Sequence, residues 1–270
     1  MSKGQIQSIL FCDIEGTLLD EKGEYLPVFQ FLYDIKNSRK PMFVLNSTKS
    51  FGEVAAYNLM LLSTNPFIYD NGGGLAVSNE LVSEFGITGA VQRDDIYSTI
   101  AIGIPKAELY ANLTKIKEAN KLDITILEDM SIEDITAYTG KDAKTAQLAK
   151  AREFSVPFIL NNPDQAGLVN SLLNDNEHRC IAGKKFYHYT GLHDKGTGIL
   201  KLKEILNPGK ILSVGDGLID ETMFRVSDEA YLVKGADDEF ATGFDDSLDI
   251  EELDGIGPEG LAELLNRVYR

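Results

Sequence analysis

Ser8-Ile9-Leu10-Phe11-Cys12-Asp13-Ile14-Glu15-Gly16-Thr17-Leu18-Leu19-Asp20 begins as an apolar run of strand-forming residues and stops abruptly at two carboxylates separated by one residue. In an open α/β sheet, ligands bind beyond the carboxyl ends of the strands, so chemistry is expected where this strand ends. Side chains two positions apart on an extended backbone project to the same side, which lets Asp13 and Glu15 work on one substrate. Gly16 lets the chain turn sharply, and the Thr17 hydroxyl is available to the loop. Alone, the stretch also fits a buried strand with a solvated acidic turn; the flanking sequence decides between the two.

On its C-terminal side the pattern repeats. Tyr25 to Lys36 carries apolar residues at helical spacing, with Pro27 near its start. Pro41 to Leu45 reads as a buried strand ending at Asn46-Ser47-Thr48-Lys49-Ser50, Phe51 to Leu62 as a helix, and Pro66 to Tyr69 as a short strand closed by the loop Asp70-Asn71-Gly72-Gly73-Gly74. Strand and helix alternating in this way predict a doubly wound parallel sheet of the α/β class. From residue 83 to 189 the character changes. Strands are expected at Tyr97–Ile102, Leu122–Leu127 and after Arg152, and helices at Pro105–Ala119, Lys141–Lys150 and Pro163–Leu173. A strand pair, His178–Ile181 and Lys185–Tyr189, closes this inserted α+β module. Residues 190–270 resume the first pattern: a helix opened by Asp194-Lys195-Gly196, a strand from Lys210 ending at Gly215-Asp216-Gly217-Leu218-Ile219-Asp220, a helix from Glu221 and a strand at Ala230–Val233. Gly235 to Asp254 holds nine acidic and no basic residues and reads as solvated surface. Gly255-Ile256-Gly257-Pro258-Glu259-Gly260 matches a dinucleotide fingerprint, but with no strand expected before it the string reads as a helix start.

Composition narrows the function. A net charge of −16 and 43% hydrophobic residues describe an acidic chain with a real core, not one whose main partner is nucleic acid or an anionic membrane. Cys12 and Cys180 form no disulfide framework, and the three histidines show no zinc-site spacing. There is no long apolar run and no basic segment leading into one, so a soluble cytoplasmic protein is the expectation, and the sequons at Asn46 and Asn112 are without consequence. Nothing in the sequence points to a particular oligomeric state.

Four stretches stand at or beside the carboxyl ends of expected parallel strands: Asp13-Ile14-Glu15-Gly16-Thr17, Asn46-Ser47-Thr48-Lys49, Asp194-Lys195-Gly196, and Gly215-Asp216 with Asp220. In this order, with a module inserted between the second and third, they resemble the four motifs of the haloacid dehalogenase superfamily of phosphotransferases. The resemblance spans nearly the whole chain and implies a Rossmann-type core at 1–82 and 190–270, with a substrate-selecting cap at 83–189. The residue types suit phosphoryl transfer in their own right. Asp13 is the nucleophile that forms an aspartyl-phosphate, and Glu15 the acid that protonates the leaving oxygen and then activates water. A divalent cation, Mg2+, is needed between the attacking carboxylate and a dianionic phosphate, held by Asp13, Asp216, Asp220 and the backbone carbonyl of Glu15. Ser47 and Lys195 hold the phosphoryl oxygens.

Two positions depart from the superfamily pattern. Glu15 stands where Asp is usual, one methylene longer, although the enolase-phosphatase family carries the same Asp-Ile-Glu-Gly-Thr string. Ile219 replaces the Asn that often precedes the last Asp. The α+β insertion resembles the type C2B cap, and Asn46-Ser47-Thr48-Lys49-Ser50, Asp70-Asn71-Gly72-Gly73, Arg152-Glu153-Phe154-Ser155 and Lys185-Phe186-Tyr187-His188-Tyr189 resemble the mannosyl-3-phosphoglycerate phosphatase family. That likeness implies a small phosphorylated sugar substrate carrying both a phosphate and a carboxylate. Lys49, Asn71, Gly72, Arg152 and Ser155 are its expected contacts, with Arg152 as a bidentate grip on the carboxylate or, alternatively, a surface ion-pair partner of Glu153 or a neighbour. Other readings of the same residues are a glucosyl-3-phosphoglycerate or other sugar-phosphate phosphatase, a phosphomutase, and a binding protein that keeps the fold with little turnover.

Overall fold

β1 (Ser8–Cys12) is apolar on both faces because it is buried on both faces. Leu10 and Cys12 join one core cluster and Ile9 and Phe11 another, on opposite sides of the sheet. The computed structural model describes residues 6–20, 22, 28–29, 31–32, 41–183 and 185–269. β1 pairs in parallel with β2 (Met42–Asn46) on one side and on the other with β11 (Lys210–Gly215), a strand that lies almost two hundred residues later. β3 (Phe67–Tyr69) extends the parallel set beyond β2, and β12 (Glu229–Lys234) and β13 (Ile250–Ile256) extend it beyond β11. The helices Phe51–Met60 and Pro258–Val268 cover the Leu10 face, and Lys195–Leu206 covers the Ile9 face. The helix expected over Tyr25–Lys36 lies mostly outside the described residues.

The sheet is mixed rather than wholly parallel. Beyond β3, the strands β4 (Gly74–Ser78), β6 (Tyr97–Ala101) and β5 (Val91–Gln92) add antiparallel pairings, giving the order β13-β12-β11-β1-β2-β3-β4-β6-β5. β4 begins inside the glycine run that reads as a loop, and its residues are fully buried. β5 and β6 fall within 83–189, the stretch expected to form the insertion, yet both belong to the large sheet, so the second sheet is entered only after Gly103. β13 is masked in the sequence by its acids: Glu251, Glu252 and Asp254 are exposed while Leu253 is buried, as suits a charged edge strand that discourages pairing with another chain. A strand therefore does precede Gly255–Gly260, which starts the helix Pro258–Val268.

The second sheet has the order β7 (Ile124–Ile126), β8 (Ser155–Leu160), β10 (Tyr187–Gly191), β9 (His178–Ala182), antiparallel throughout. Val156, Phe158 and Tyr189 face the helices Lys106–Asn120 and Ala166–Leu173 in a core of their own. Strand alternation puts Ser155, Pro157, His188 and Thr190 on the opposite face. Two passages join the sheets. At the first, Ile102 and Gly103 both donate to the carbonyl of Gly73, at 2.9 Å; the second is Leu192-His193-Asp194. Among the described residues no helix is long and apolar enough to cross a membrane.

Candidate active site

The carboxyl ends of β1 and β11 and the start of the helix Lys195–Leu206 converge. Lys195 is fully buried, and its Nζ donates to Asp13 Oδ1 at 2.5 Å and to Asp220 Oδ1 at 2.6 Å. Its backbone is fixed as tightly as its side chain. Asp194 is the helix N-cap, accepting from Thr197 N at 2.9 Å, and the Lys195 carbonyl accepts from Asn46 Nδ2 at 3.1 Å. The β2 loop thus holds the lysine that serves the β1 carboxylate.

Glycine makes this approach possible. Gly72 has φ +88°, and a Cβ there would lie 1.8 Å from the carbonyl oxygen of Asp194. Gly72→Ala combines a left-handed backbone with a collision against backbone that cannot rotate away, so it is expected to cost well over about 1 kcal/mol and to displace Lys195. Thermal unfolding and phosphatase assays of that variant check this; a wild-type melting temperature with full activity would contradict it. Gly16, at φ +87°, plays a similar part, since a Cβ would sit 2.2 Å from Asp216 Oδ2.

Asp220 completes a tight turn: its Oδ2 accepts from the backbone N–H of Asp216 at 3.1 Å and of Gly217 at 3.2 Å. Asp13, Asp216 and Asp220 each offer an oxygen within 4.8 Å of the others. Asp13 and Asp220 share the one ammonium of Lys195, with the Asp216 carboxylate close by. Burial pushes the Asp13 carboxyl up to about 7, with Asp220 and Asp216 adding to the rise and Lys195 opposing it. The three carboxylates could hold a hard divalent cation, since all-oxygen donors are what Mg2+ takes. Ile219, in the same loop, is 42% exposed and contributes no polar group.

Glu15 lies at the mouth of this cluster, its side chain 64% exposed and its Oε1 2.8 Å from Lys49 Nζ. Partial desolvation works against its charge, but Lys49, with Arg152 and Lys195 adding to it, holds the carboxyl below its ordinary value. Lys49, also 3.9 Å from Glu53, is therefore engaged with carboxylates rather than standing free. Ser47 is buried, its hydroxyl accepting from Lys49 N at 3.2 Å and its carbonyl from Asn71 N at 3.0 Å, so the loops after β2 and β3 are stitched together. Asn71 takes a left-handed conformation, φ +56°, and its side-chain oxygen is buried without a hydrogen-bond partner among the described residues.

Arg152 and Ser155, at the start of β8, come down onto the large sheet, where one residue receives them both. Asp70, fully buried at the end of β3, accepts from Glu153 N at 2.6 Å, Phe154 N at 2.7 Å, Arg152 NH1 at 3.3 Å and the Ser155 hydroxyl. Arg152 NH1 also donates to the carbonyl of Thr48, next to Ser47. Glu153 pairs not with Arg152 but with Arg93 and the Tyr69 hydroxyl. Ser155 is 2% exposed and its hydroxyl is committed to Asp70. Sequence reasoning misses Asp70 as a site residue, although it stands at the carboxyl end of a parallel strand, the same feature that marks Asp13.

No family model matches the chain. Among curated proteins, it is 26% identical over 268 residues, 94% of each chain, to the glucosyl-3-phosphoglycerate/mannosyl-3-phosphoglycerate phosphatase of Methanococcoides burtonii. It is 27% identical over 232 residues to the protein of the same description from Persephonella marina, with 83% of this chain and 84% of that one covered. Similar solved structures include a haloacid dehalogenase-like hydrolase from Bacteroides thetaiotaomicron, at TM-score 0.69 and 15% identity over 97% of this chain and 99% of that one. Another, from B. subtilis, has TM-score 0.64 at 12% identity, covering 96% of this chain and 99% of that one. The fold is that of the haloacid dehalogenase-like hydrolases, and the curated relatives that the chain resembles are described as phosphatases.

Proposed function

We propose that the protein hydrolyses mannosyl-3-phosphoglycerate, and secondarily its glucosyl analogue, to the glycosylglycerate and phosphate through a phosphorylated Asp13. The observation that carries this reading is the pairing of Lys195 with Asp13 and Asp220, together with an arginine brought from the start of β8 to the carbonyl of Thr48, next to Ser47. A single-phosphate substrate needs only the first part; a substrate with an additional carboxylate gives Arg152 a purpose. The relatives whose descriptions name phosphoglycerate glycosides support that substrate class.

In the first step the Asp13 carboxylate attacks phosphorus, and the bond to the glycerate oxygen breaks. Lys195 and Ser47 hold the phosphoryl oxygens, and the buried ammonium offsets charge as it develops. Mg2+ held by Asp13, Asp216, Asp220 and the Glu15 carbonyl would supply charge neutralisation between nucleophile and phosphate. Glu15 must give a proton to the departing oxygen, yet Lys49 keeps it ionised before substrate binds. A phosphate dianion competes for Lys49, and a Glu15 freed from its partner rises toward a range in which it takes up a proton. In the second step Glu15 returns to its role as base, taking a proton from the water that attacks the phosphorylated Asp13.

The test is phosphate release from mannosyl- and glucosyl-3-phosphoglycerate beside simple sugar phosphates, with Mg2+ and after chelation. The expected outcome is a kcat/KM at least about tenfold higher for the two glycosides, since an Arg–carboxylate contact worth ~1.4 kcal/mol or more gives that ratio, and loss of release on chelation. Equal rates on all substrates would remove the phosphoglycerate assignment, and full activity without divalent metal would remove the metal.

A further inference from the structure

The Arg152 guanidinium is held by one nitrogen only. NH1 donates both to Asp70 and to the carbonyl of Thr48, and among the described residues Nε and NH2 make no hydrogen bond. The group is mostly buried, with 12% of its side chain exposed, and its charge acts on Glu15 at the mouth of the site and on His188 of β10. An arginine whose position is set through one corner, with the remaining donors unengaged beside the general acid, is arranged to receive a planar anion. Its position comes from Asp70, which also takes the N–H groups of Glu153 and Phe154 and the Ser155 hydroxyl. All four groups that donate to the Asp70 carboxylate belong to residues 152–155, where the chain enters β8, while Asp70 itself directly follows β3 of the large sheet.

We infer that Asp70 is a positioning residue for substrate selection: it aims the free donors of Arg152 at a second anionic group, a carboxylate, on a phosphorylated substrate. This deepens the proposed function and rests on it for the substrate class. A long flexible arginine loses rotamer freedom when it binds an anion, and fixing it beforehand through a buried carboxylate removes that cost from the binding step. The Thr48 carbonyl sets the distance as well, because it belongs to the loop that carries Ser47, so the carboxylate site and the phosphoryl site are tied to one backbone segment.

The experiment compares kcat/KM for mannosyl-3-phosphoglycerate with kcat/KM for 4-nitrophenyl phosphate, which has the phosphate but no carboxylate, in the full chain with Mg2+. Asp70→Asn should lower the ratio of the two constants at least tenfold, mainly through KM of the glycoside. In an Arg152→Met background the same Asp70→Asn change should move that ratio less than twofold, because Asp70 acts through Arg152. A merely structural role would lower both constants together and leave the ratio at its wild-type value, which would overturn the inference. So would equal, additive losses of the ratio in the two backgrounds. If Asp70→Asn does not fold, Ser155→Ala, which removes one donor from Asp70, replaces it, and an unchanged ratio there counts against the inference. A wild-type protein with no preference for the glycoside would overturn the substrate reading itself, whereas a wild-type preference that survives Asp70→Asn would overturn only the role of Asp70.

Discussion

Asp13→Asn is expected to reduce phosphate release by roughly 10^3-fold or more while leaving the fold in place. The change removes the proposed nucleophile and one candidate metal ligand with almost no change in volume, at a position where the side chain is packed at the end of β1. It also removes one of the two carboxylates that Lys195 neutralises, leaving a buried ammonium with Asp220 as its partner. Stability should therefore move far less than activity. Steady-state kinetics beside circular dichroism separate the two. Activity above about a tenth of the wild-type value would sink Asp13 as the phosphoryl acceptor.

Lys195→Met carries the second large effect, and here fold and function are expected to fail together. A fully buried lysine is tolerable here because two carboxylates, at 2.5 and 2.6 Å, answer its charge. Its removal takes the ammonium from the buried carboxylates of Asp13 and Asp220, the situation in which breaking a buried pair costs about 3–5 kcal/mol. For a chain of this size that corresponds to a fall of roughly 6–15 °C in melting temperature, measured without added metal. Added Mg2+ should restore part of the stability, because a divalent cation answers the same charges, but not the rate, since the proposed donor to the phosphoryl oxygens is gone; kcat should stay down by about 10^2-fold or more. A variant with wild-type melting temperature in chelator would mean that Lys195 does not balance this cluster.

The parts of the molecule that are legible in the sequence are those where a local pattern has a local cause. β1, β2 and β11 are continuous apolar runs because both faces are buried, and each ends where polar residues begin, which is enough to set Asp13, Ser47 and Asp216 beyond strand ends. The hairpin of β9 and β10 is legible from its flanking turn, whereas the change in character after residue 83 does not mark the entry to the second sheet, since β5 and β6 stay in the large one. What stays hidden depends on distance along the chain. The contact between Asp70 and residues 152–155 spans more than eighty positions and exists only because one sheet docks on the other. For the same reason Arg152 reads equally well as a partner of Glu153, and Ser155 as a free hydroxyl. β13 is obscured by a different cause: alternation survives in the buried Leu253, but the acids around it carry the pattern of solvated surface. Composition misleads at β4 too, where Gly72-Gly73-Gly74 signals a turn and the structure uses the first two for the turn and the third to start a strand.

The most direct test of the central claim is phosphate release from mannosyl-3-phosphoglycerate by the wild-type protein and by Asp13→Asn, each with Mg2+ and after chelation. Release should be rapid only in the wild-type protein with Mg2+ and should fall to background in the other three conditions. Comparable release from Asp13→Asn, or release that ignores the chelator, would contradict a metal-assisted phosphatase built on Asp13.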